Sequence, residues 1–312
     1  MLRAFRRSDA PEFFELMRRS FPAEDALVGF RPDAFVRIVR RVFRPDFRLA
    51  LGIAEALGHP VFRVYVIEED HRIAAAGLLT FTERVGYLST LMVDRSFQRR
   101  GFARQLLRAF AELAGKKRRP WIVLDVLTSN DAARALYTSE GYRLLGHRGV
   151  WTRELDPAPM PARTPDPIRP MRRRDIAPLV AIASEAIPPP VAEVLPVGPR
   201  EFRTPTLTGY GFESSTEAWV IDRGAGPLGF VRATASRAME SGHLSQPILD
   251  PTADPADARA LVEVAGEWIR DRGIRRVILE VPSYNAEALR ILPEAGLREL
   301  HAIDTLVRPT AA

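Results

Sequence analysis

Cysteine is absent from the 312 residues. That excludes disulfide staples, thiolate zinc sites and cysteine nucleophiles together, and a reducing cytoplasm is the simplest home for such a chain. Histidine is scarce. His59, His71, His147, His243 and His301 show no ligand spacing, so no metal is expected. No eighteen-residue window is apolar and free of charge, which argues against a transmembrane helix and a membrane partner. The opening "MLRAFRRSDAPEFF" lacks an apolar run followed by small residues, so it does not read as a signal peptide.

What is present is a globular balance, 46% hydrophobic and 27% charged, long enough for two ordinary domains. Charge is unevenly placed. Residues 1–155 hold 27 Lys+Arg against 18 Asp+Glu, hence +9, and the remainder holds 18 against 21, hence −3. The basic half has no lysine-rich tail and no aromatics interleaved with its basic runs. An anionic small molecule explains the excess as well as a nucleic acid would, and no nucleic-acid partner is expected.

The chain repeats itself. "LRAFRRSDAPEFFELMRRSF" (2–21) lies beside "IRPMRRRDIAPLVAIASEAI" (168–187), with Arg3, Arg6, Arg7 and Asp9 answering to Arg169, Arg172, Arg173 and Asp175. "WIVLDVLTSNDAARALYTSEGY" (121–142) lies beside "RVILEVPSYNAEALRILPEAGL" (276–297), with Asn130 answering to Asn285 and Gly141 to Gly296. Two copies of one α/β fold follow: a first domain over 1–155, a stiff proline-rich linker over 156–167 and a second domain over 168–312. In the first copy we read a strand near 2–7 and helices near 9–20 and 32–43. "VFRVYVIEE" and "RIAAAGLLTF" are strands joined by a turn at Asp70-His71, and "GYLSTLMV" is a further strand. A helix then runs to about Gly115, "WIVLDV" is a buried strand, a helix starts at Ser129-Asn130, and "GYRLLGHRGVWTREL" closes the sheet. The second copy carries "PPPVAEVLPVGPREFRTPTLTGYG" where the first has its second helix.

"LMVDRSFQRRGFARQLL" passes from strand to helix through Gly101 and Ala103, small enough for a bulky ligand to reach the backbone. Free N–H groups and the dipole at that helix start suit a pyrophosphate, and Arg99, Arg100 and Arg104 add positive charge on the same turn. This stretch resembles the Gln/Arg-x-x-Gly-x-Gly/Ala signature of the GNAT superfamily, the acetyl-CoA-dependent N-acyltransferases. Gln98, Gly101 and Ala103 fill its three positions. "LDVLTSNDAARALYTSEGY" resembles that family's second block, with Asn130, Ala133, Tyr137 and Gly141 in register, and the order of elements agrees over 1–155.

The resemblance implies tandem GNAT-like domains, each a mixed, mostly antiparallel sheet with a splayed parallel strand pair flanked by helices. It implies that backbone groups of Leu91, Met92 and Val93 pair with the pantetheine amides of acetyl-CoA, a co-substrate. N–H groups from Gln98 through Phe102 to Ala103 would hold the pyrophosphate. It also implies that Tyr137 protonates the leaving thiolate after direct attack by a primary amine; a phenol pKa of ~10 suits that task. Asn130 reads first as an N-cap, with a cofactor contact as a second role. Many members carry Glu or His as a base at positions that here are Tyr87 and Ser89, neither a competent base. Glu83, Asp94, an acid reached through water, or an amine arriving neutral all remain, so no base is assigned.

Other features read plainly. Arg37, Arg40, Arg41 and Arg44 form a stripe that is usually a solvated helix face, although an acidic acceptor bordering it stays open. "GKKRRP" (115–120) offsets a helix C-terminus. "GAGPLG" (224–229) fits G-x-G-x-x-G, but a strand follows where that fingerprint needs a helix, so it is a hairpin turn. In the second copy "TADPADA" (252–258) replaces "QRRGFA" and Leu292 replaces Tyr137, so this copy is expected neither to bind acetyl-CoA nor to catalyse. The sequence therefore describes a cytoplasmic N-acetyltransferase, monomer or homodimer. The alternative is a non-catalytic acyl-CoA-binding or regulatory protein. The acceptor is a small-molecule or peptide amine; an antibiotic, a polyamine, an amino acid and a protein N-terminus all stay open.

Overall fold

Asp70 and His71 both take left-handed φ values, 50° and 59°, and turn β2 (Phe62–Glu69) directly into β3 (Arg72–Phe81). The hairpin expected there is present in the computed structural model, which describes residues 1–20, 62–156, 167–203, 214–237 and 240–310. The chain divides into two compact units, Met1–Leu145 with Asp304–Ala312, and Gly146–Ile303.

In the first unit β1 (Leu2–Ala4), β2, β3 and β4 (Val85–Val93) pair antiparallel in that order, and β4 pairs parallel with β5 (Trp121–Leu127). The far side of β5 is covered by the last strand, β13 (Arg298–Pro309). Alternation assigns the two faces. Val64, Val66, Ala76, Leu78 and Met92 pack against Phe13, Phe14, Leu16 and Met17 of α1 (Ala10–Ser20). Ile67, Ala75, Leu79, Leu88, Ile122 and Leu124 pack instead against Leu106, Leu107 and Phe110 of α2 (Phe102–Lys116). Each buried Val, Leu, Ile, Met or Phe among them contributes about 1.5–3 kcal/mol. Gly77 permits the close approach of α2, since a Cβ there would stand 2.5 Å from the Phe110 ring. A third helix, α3 (Asp131–Ser139), follows β5.

The second unit contains most of β6 (Arg143–Glu154), then β7 (Ile168–Pro170), α4 (Ile176–Ala186) and two short helices that each open on proline, α5 (Pro189–Val194) and α6 (Pro199–Phe202). β8 (Ser214–Asp222), β9 (Pro227–Ser236), β10 (Ser241–Leu244), β11 (Ile248–Leu249), α7 (Pro255–Arg270), β12 (Arg276–Pro282) and α8 (Ala286–Ile291) complete it. Its strands lie in the order β6-β12-β10-β9-β8-β7, with β11 returning to β9. The tight turn at 223–226 joins antiparallel β8 and β9, so "GAGPLG" is a hairpin turn as read.

The sequence repeat is also a repeat of interactions. Arg3 grips Asp9 with two hydrogen bonds, 2.6 and 2.9 Å, while the Arg6 N–H donates to the same carboxylate at 2.6 Å. Arg169 grips Asp175 at 2.8 and 2.9 Å, and the Arg172 N–H donates at 2.6 Å. Each motif ties the first strand of its copy to the start of the following helix.

The two compact units run differently from the 1–155 and 168–312 stretches read as domains from the sequence. "GYRLLGHRGVWTREL" does not close the first sheet. Residues 148–154 pair antiparallel with β12 in the second unit, and residues 304–312 belong to the first. β6 and β13 follow matching helix–glycine stretches and each has 12 residues, so they stand at equivalent points of the two copies. The helix expected over 32–43, with its arginine stripe, and most of the proline-rich linker lie outside the described residues. No helix among those described is long and apolar enough to cross a membrane.

Candidate active site

β4 and β5 pair only from Val85↔Trp121 to Leu88↔Leu124. Beyond that point β4 runs on to Val93 and β5 to Leu127 without partnering each other, which opens a wedge. β4 stays bonded to β3 through Gly77↔Leu91, Ala76↔Met92 and Ala75↔Val93, with an irregularity beside Ser89. Backbone groups of this stretch that point away from β3 therefore face the wedge. Leu91, Met92 and Val93 lie on that edge. Leu91 and Val93 share an apolar cluster with Phe102, Ala133 and Tyr137, whereas Met92 packs on the opposite face under α1.

At the start of α2 the backbone curls through left-handed Arg99 (φ 62°) and Gly101 (φ 86°). Gly101 is the N-cap, and no side chain caps this end. The first helical bond runs from the Gln105 N–H to the Gly101 carbonyl, and no N–H of residues 99–104 meets an acceptor among the described residues. A Cβ on Gly101 would meet nothing within 4 Å, so the cradle is open. These unpartnered donors at a positive dipole end fit a diphosphate.

The cations around it are less free than their spacing suggests. Arg100 lies 3.2 Å from Glu69 and over the rings of Phe97 and Phe102, at 5.3 and 5.5 Å. Arg104 sits 2.6 Å from Glu140, which also accepts from Arg108 at 2.9 and 3.1 Å. Those bonds, Arg108's foremost, hold the Glu140 carboxyl below the usual carboxylate range. Arg99 makes no ion pair among the described residues. Gln98 is exposed at the mouth of the same turn.

Asn130 is the N-cap of α3, its side-chain oxygen accepting from the Ala133 N–H at 3.1 Å. Tyr137, about two turns along, is buried with its ring 6.0 Å from that of Tyr142. Burial pushes its phenol up to about 12.

The sequence reading missed Asp125. It is the first residue of β5 past the last paired position, and it lies on the face away from Ile122, Leu124 and Val126. The Tyr87 hydroxyl donates to its Oδ2, and the Thr305 hydroxyl donates to its Oδ1 at 2.8 Å. Tyr87, no base itself, is thus joined to a carboxylate. Its signal was available: an acidic residue interrupts "WIVLDV" at the outward-facing position of an otherwise apolar strand. The bases considered earlier fare worse. Asp94 caps the turn after β4, accepting from the Ser96 hydroxyl at 2.6 Å and N–H at 2.9 Å and pairing with Arg19 at 3.0 Å. The Ser96 hydroxyl bond is the main reason its carboxyl lies below the usual range. Glu83 stands exposed in the turn before β4, its carbonyl taken by Arg119 at 2.8 Å.

Among the described residues the second unit shows none of these features. At the start of α7, Asp254 caps the helix (2.8 Å to the Ala256 N–H) and Asp257 is gripped by Arg223 at 2.8 Å through both oxygens. Two carboxylates there repel an anion. β10 pairs with β12 for three residues, and the wedge beyond is bridged by Asn285, which donates to Gln246 and the Pro247 carbonyl. Glu280, the counterpart of Asp125, is paired with Arg148 at 2.7 Å. Leu292, the counterpart of Tyr137, is fully buried. Among the described residues no cluster of His, Asp and Glu could hold a metal ion.

A mixed sheet with one splayed parallel pair, an uncapped helix start beside the splay and flanking helices define the GNAT fold. Residues 12–142 match the model of the acetyltransferase (GNAT) family. The whole chain superimposes on a GCN5-related N-acetyltransferase from Sphaerobacter thermophilus with a TM-score of 0.66 at 20% identity, covering 100% of this chain and 96% of the other. A tandem GNAT protein from the clavulanic acid biosynthesis pathway gives 0.66 at 14% identity, covering 100% and 99%. Over 59 residues the chain is 44% identical to N-alpha-acetyltransferase RimI of Mycobacterium tuberculosis, 19% of this chain and 35% of that one. The chain thus spans about a third of that curated relative's length.

Proposed function

We propose that the first unit is an N-acetyltransferase that moves an acetyl group from acetyl-CoA to a primary amine, and that the second unit does not catalyse. The observation that carries this is the run of unpartnered N–H groups at 99–104, opening beside the wedge between β4 and β5. In this reading those groups, with Arg99, hold the diphosphate, while the free edge of Leu91, Met92 and Val93 holds the pantetheine arm. Acetyl-CoA supplies the acyl carbon and a thiolate leaving group.

The chain's own work is to move two protons. An amine arrives as ammonium and must lose one before nitrogen can attack. As the N–H bond breaks, its proton passes to the Tyr87 oxygen and the Tyr87 proton passes to Asp125 Oδ2, leaving a neutral amine and a carboxylic acid. The neutral nitrogen then attacks the acyl carbon, so that a C–N bond forms and the C–S bond breaks. Tyr137 gives its proton to the departing sulfur and takes the second proton from the acylated nitrogen, so the two protons that nitrogen loses end on Asp125 and on sulfur. A phenol held protonated by burial is suited to that task. The partial identity to an N-alpha-acetyltransferase makes a peptide α-amine the first acceptor to try.

The test is calorimetric titration with acetyl-CoA, followed by CoA release with an alanine-terminated peptide, spermidine and an aminoglycoside. Binding with turnover of at least one amine is expected. Binding without turnover of any would leave a non-catalytic acyl-CoA binder, and failure to bind would remove both readings.

A further inference from the structure

Two hydroxyls from distant parts of the sequence converge on Asp125. Tyr87 lies 38 residues before it and Thr305 lies 180 residues after it. The register of β13 is what brings Thr305 there. Leu306 enters the apolar cluster with Ile122 and Leu124, so Thr305 turns to the opposite face, where Tyr87 and Asp125 stand. The strand is pinned on both sides of this position. Asp304, with its side chain 1% exposed, pairs with Arg134 at 3.0 Å. Thr310 donates its N–H to the Pro120 carbonyl at 3.0 Å and its hydroxyl to the Arg119 carbonyl at 2.6 Å. A slip of one residue would put Asp304 or Leu306 against Asp125 and an apolar or charged group on the wrong face.

A carboxylate is free to rotate about its Cβ–Cγ bond. One donor fixes a single oxygen; two donors on different oxygens fix the plane. We propose that Thr305 is a positioning residue for Asp125: by holding Oδ1 it presents Oδ2 to Tyr87, so the catalytic centre of the first unit is completed by the last strand of the chain. This rests on the acetyltransferase reading above. It also assigns the last strand a chemical task besides closing the sheet, and it means that residues 1–145 alone lack part of the site.

The experiment uses the full chain and the amines named above. Thr305→Val, which keeps the shape and removes the donor, is expected to lower kcat about tenfold, the worth of a hydrogen bond to a charged group, at unchanged KM for acetyl-CoA. Thr305→Ser restores most of the loss, because the hydroxyl returns while the methyl does not. Thr305→Ala repeats the deletion with less bulk should the valine variant fail to fold. Wild-type kcat in the valine or alanine variant overturns the proposal, as does a serine variant as slow as either, which would make the effect one of packing. If the wild-type chain binds acetyl-CoA but turns over no amine, the transferase reading fails and this one falls with it. Normal wild-type turnover with an unresponsive Thr305 removes this proposal alone.

Discussion

The side-chain amide of Asn285 donates to Oε1 of Gln246 at 2.9 Å, and the same nitrogen reaches the Pro247 carbonyl at 3.0 Å. Asn130, its counterpart, caps a helix in the same way but stands at the end of a wedge with no such bridge among the described residues. One residue type at one repeat position thus serves two ends.

Asn285→Ala should destabilise the second unit by about 1–2 kcal/mol, since it removes a cap and both bridging bonds. Scanning calorimetry reads the loss as a lowered transition. Affinity for acetyl-CoA should not change; a rise would show that the second wedge is a latent site.

Gly101→Ala should weaken acetyl-CoA binding about tenfold. The added methyl meets nothing within 4 Å, so the effect is conformational: a left-handed φ of 86° costs an L-residue about 1–2 kcal/mol and pulls the cradle out of shape. Titration calorimetry measures it. Arg99→Glu should weaken binding more than Arg100→Ala, because Arg100 is already shared with Glu69.

Tyr137→Phe should lower kcat about ten- to a hundredfold with little change in cofactor affinity. Because burial pushes this phenol up to about 12, it stays protonated across the working range. The basic limb of the kcat profile should therefore not fall below about pH 10 on its account. A stopped-assay pH series on wild type and variant settles the point.

Arg3→Met should cost about 3 kcal/mol near neutral pH by leaving Asp9 without its partner. Burial alone would raise the Asp9 carboxyl, but the Arg3 hydrogen bonds and the Arg6 N–H outweigh it and hold it below the ordinary range. A depressed carboxylate contributes stability above its unfolded pKa, near 3.9, and that contribution is lost as pH falls through the folded value. Urea titrations from pH 7 to pH 3 should show a steeper acid decline in wild type than in the variant.

Much of this was legible in the chain. The short apolar runs "VFRVYVIEE" and "RIAAAGLLTF" mark two strands, and Asp70-His71 marks the turn between them. The repeat of Arg3 and Asp9 in Arg169 and Asp175 announces two copies, and Gly101 announces a left-handed residue before a helix. These are local properties, set by backbone sterics and side-chain period, and a linear reading reaches them.

Three matters were settled only by tertiary structure. Arg100 and Arg104 look like free cations in sequence, yet Glu69 and Glu140 stand against them, 31 and 36 residues away. Asp125 looks like a stray charge in a buried strand until Tyr87 and Thr305 are folded onto it. Above all, β6 and β13 stand at equivalent points of the two copies, and a linear reading assigns each to its own copy. Which sheet each joins is decided by pairing between segments more than a hundred residues apart. Its energy lies in register, in the Asp304–Arg134 pair and in the burial of Leu306, none of which exists before the strands meet.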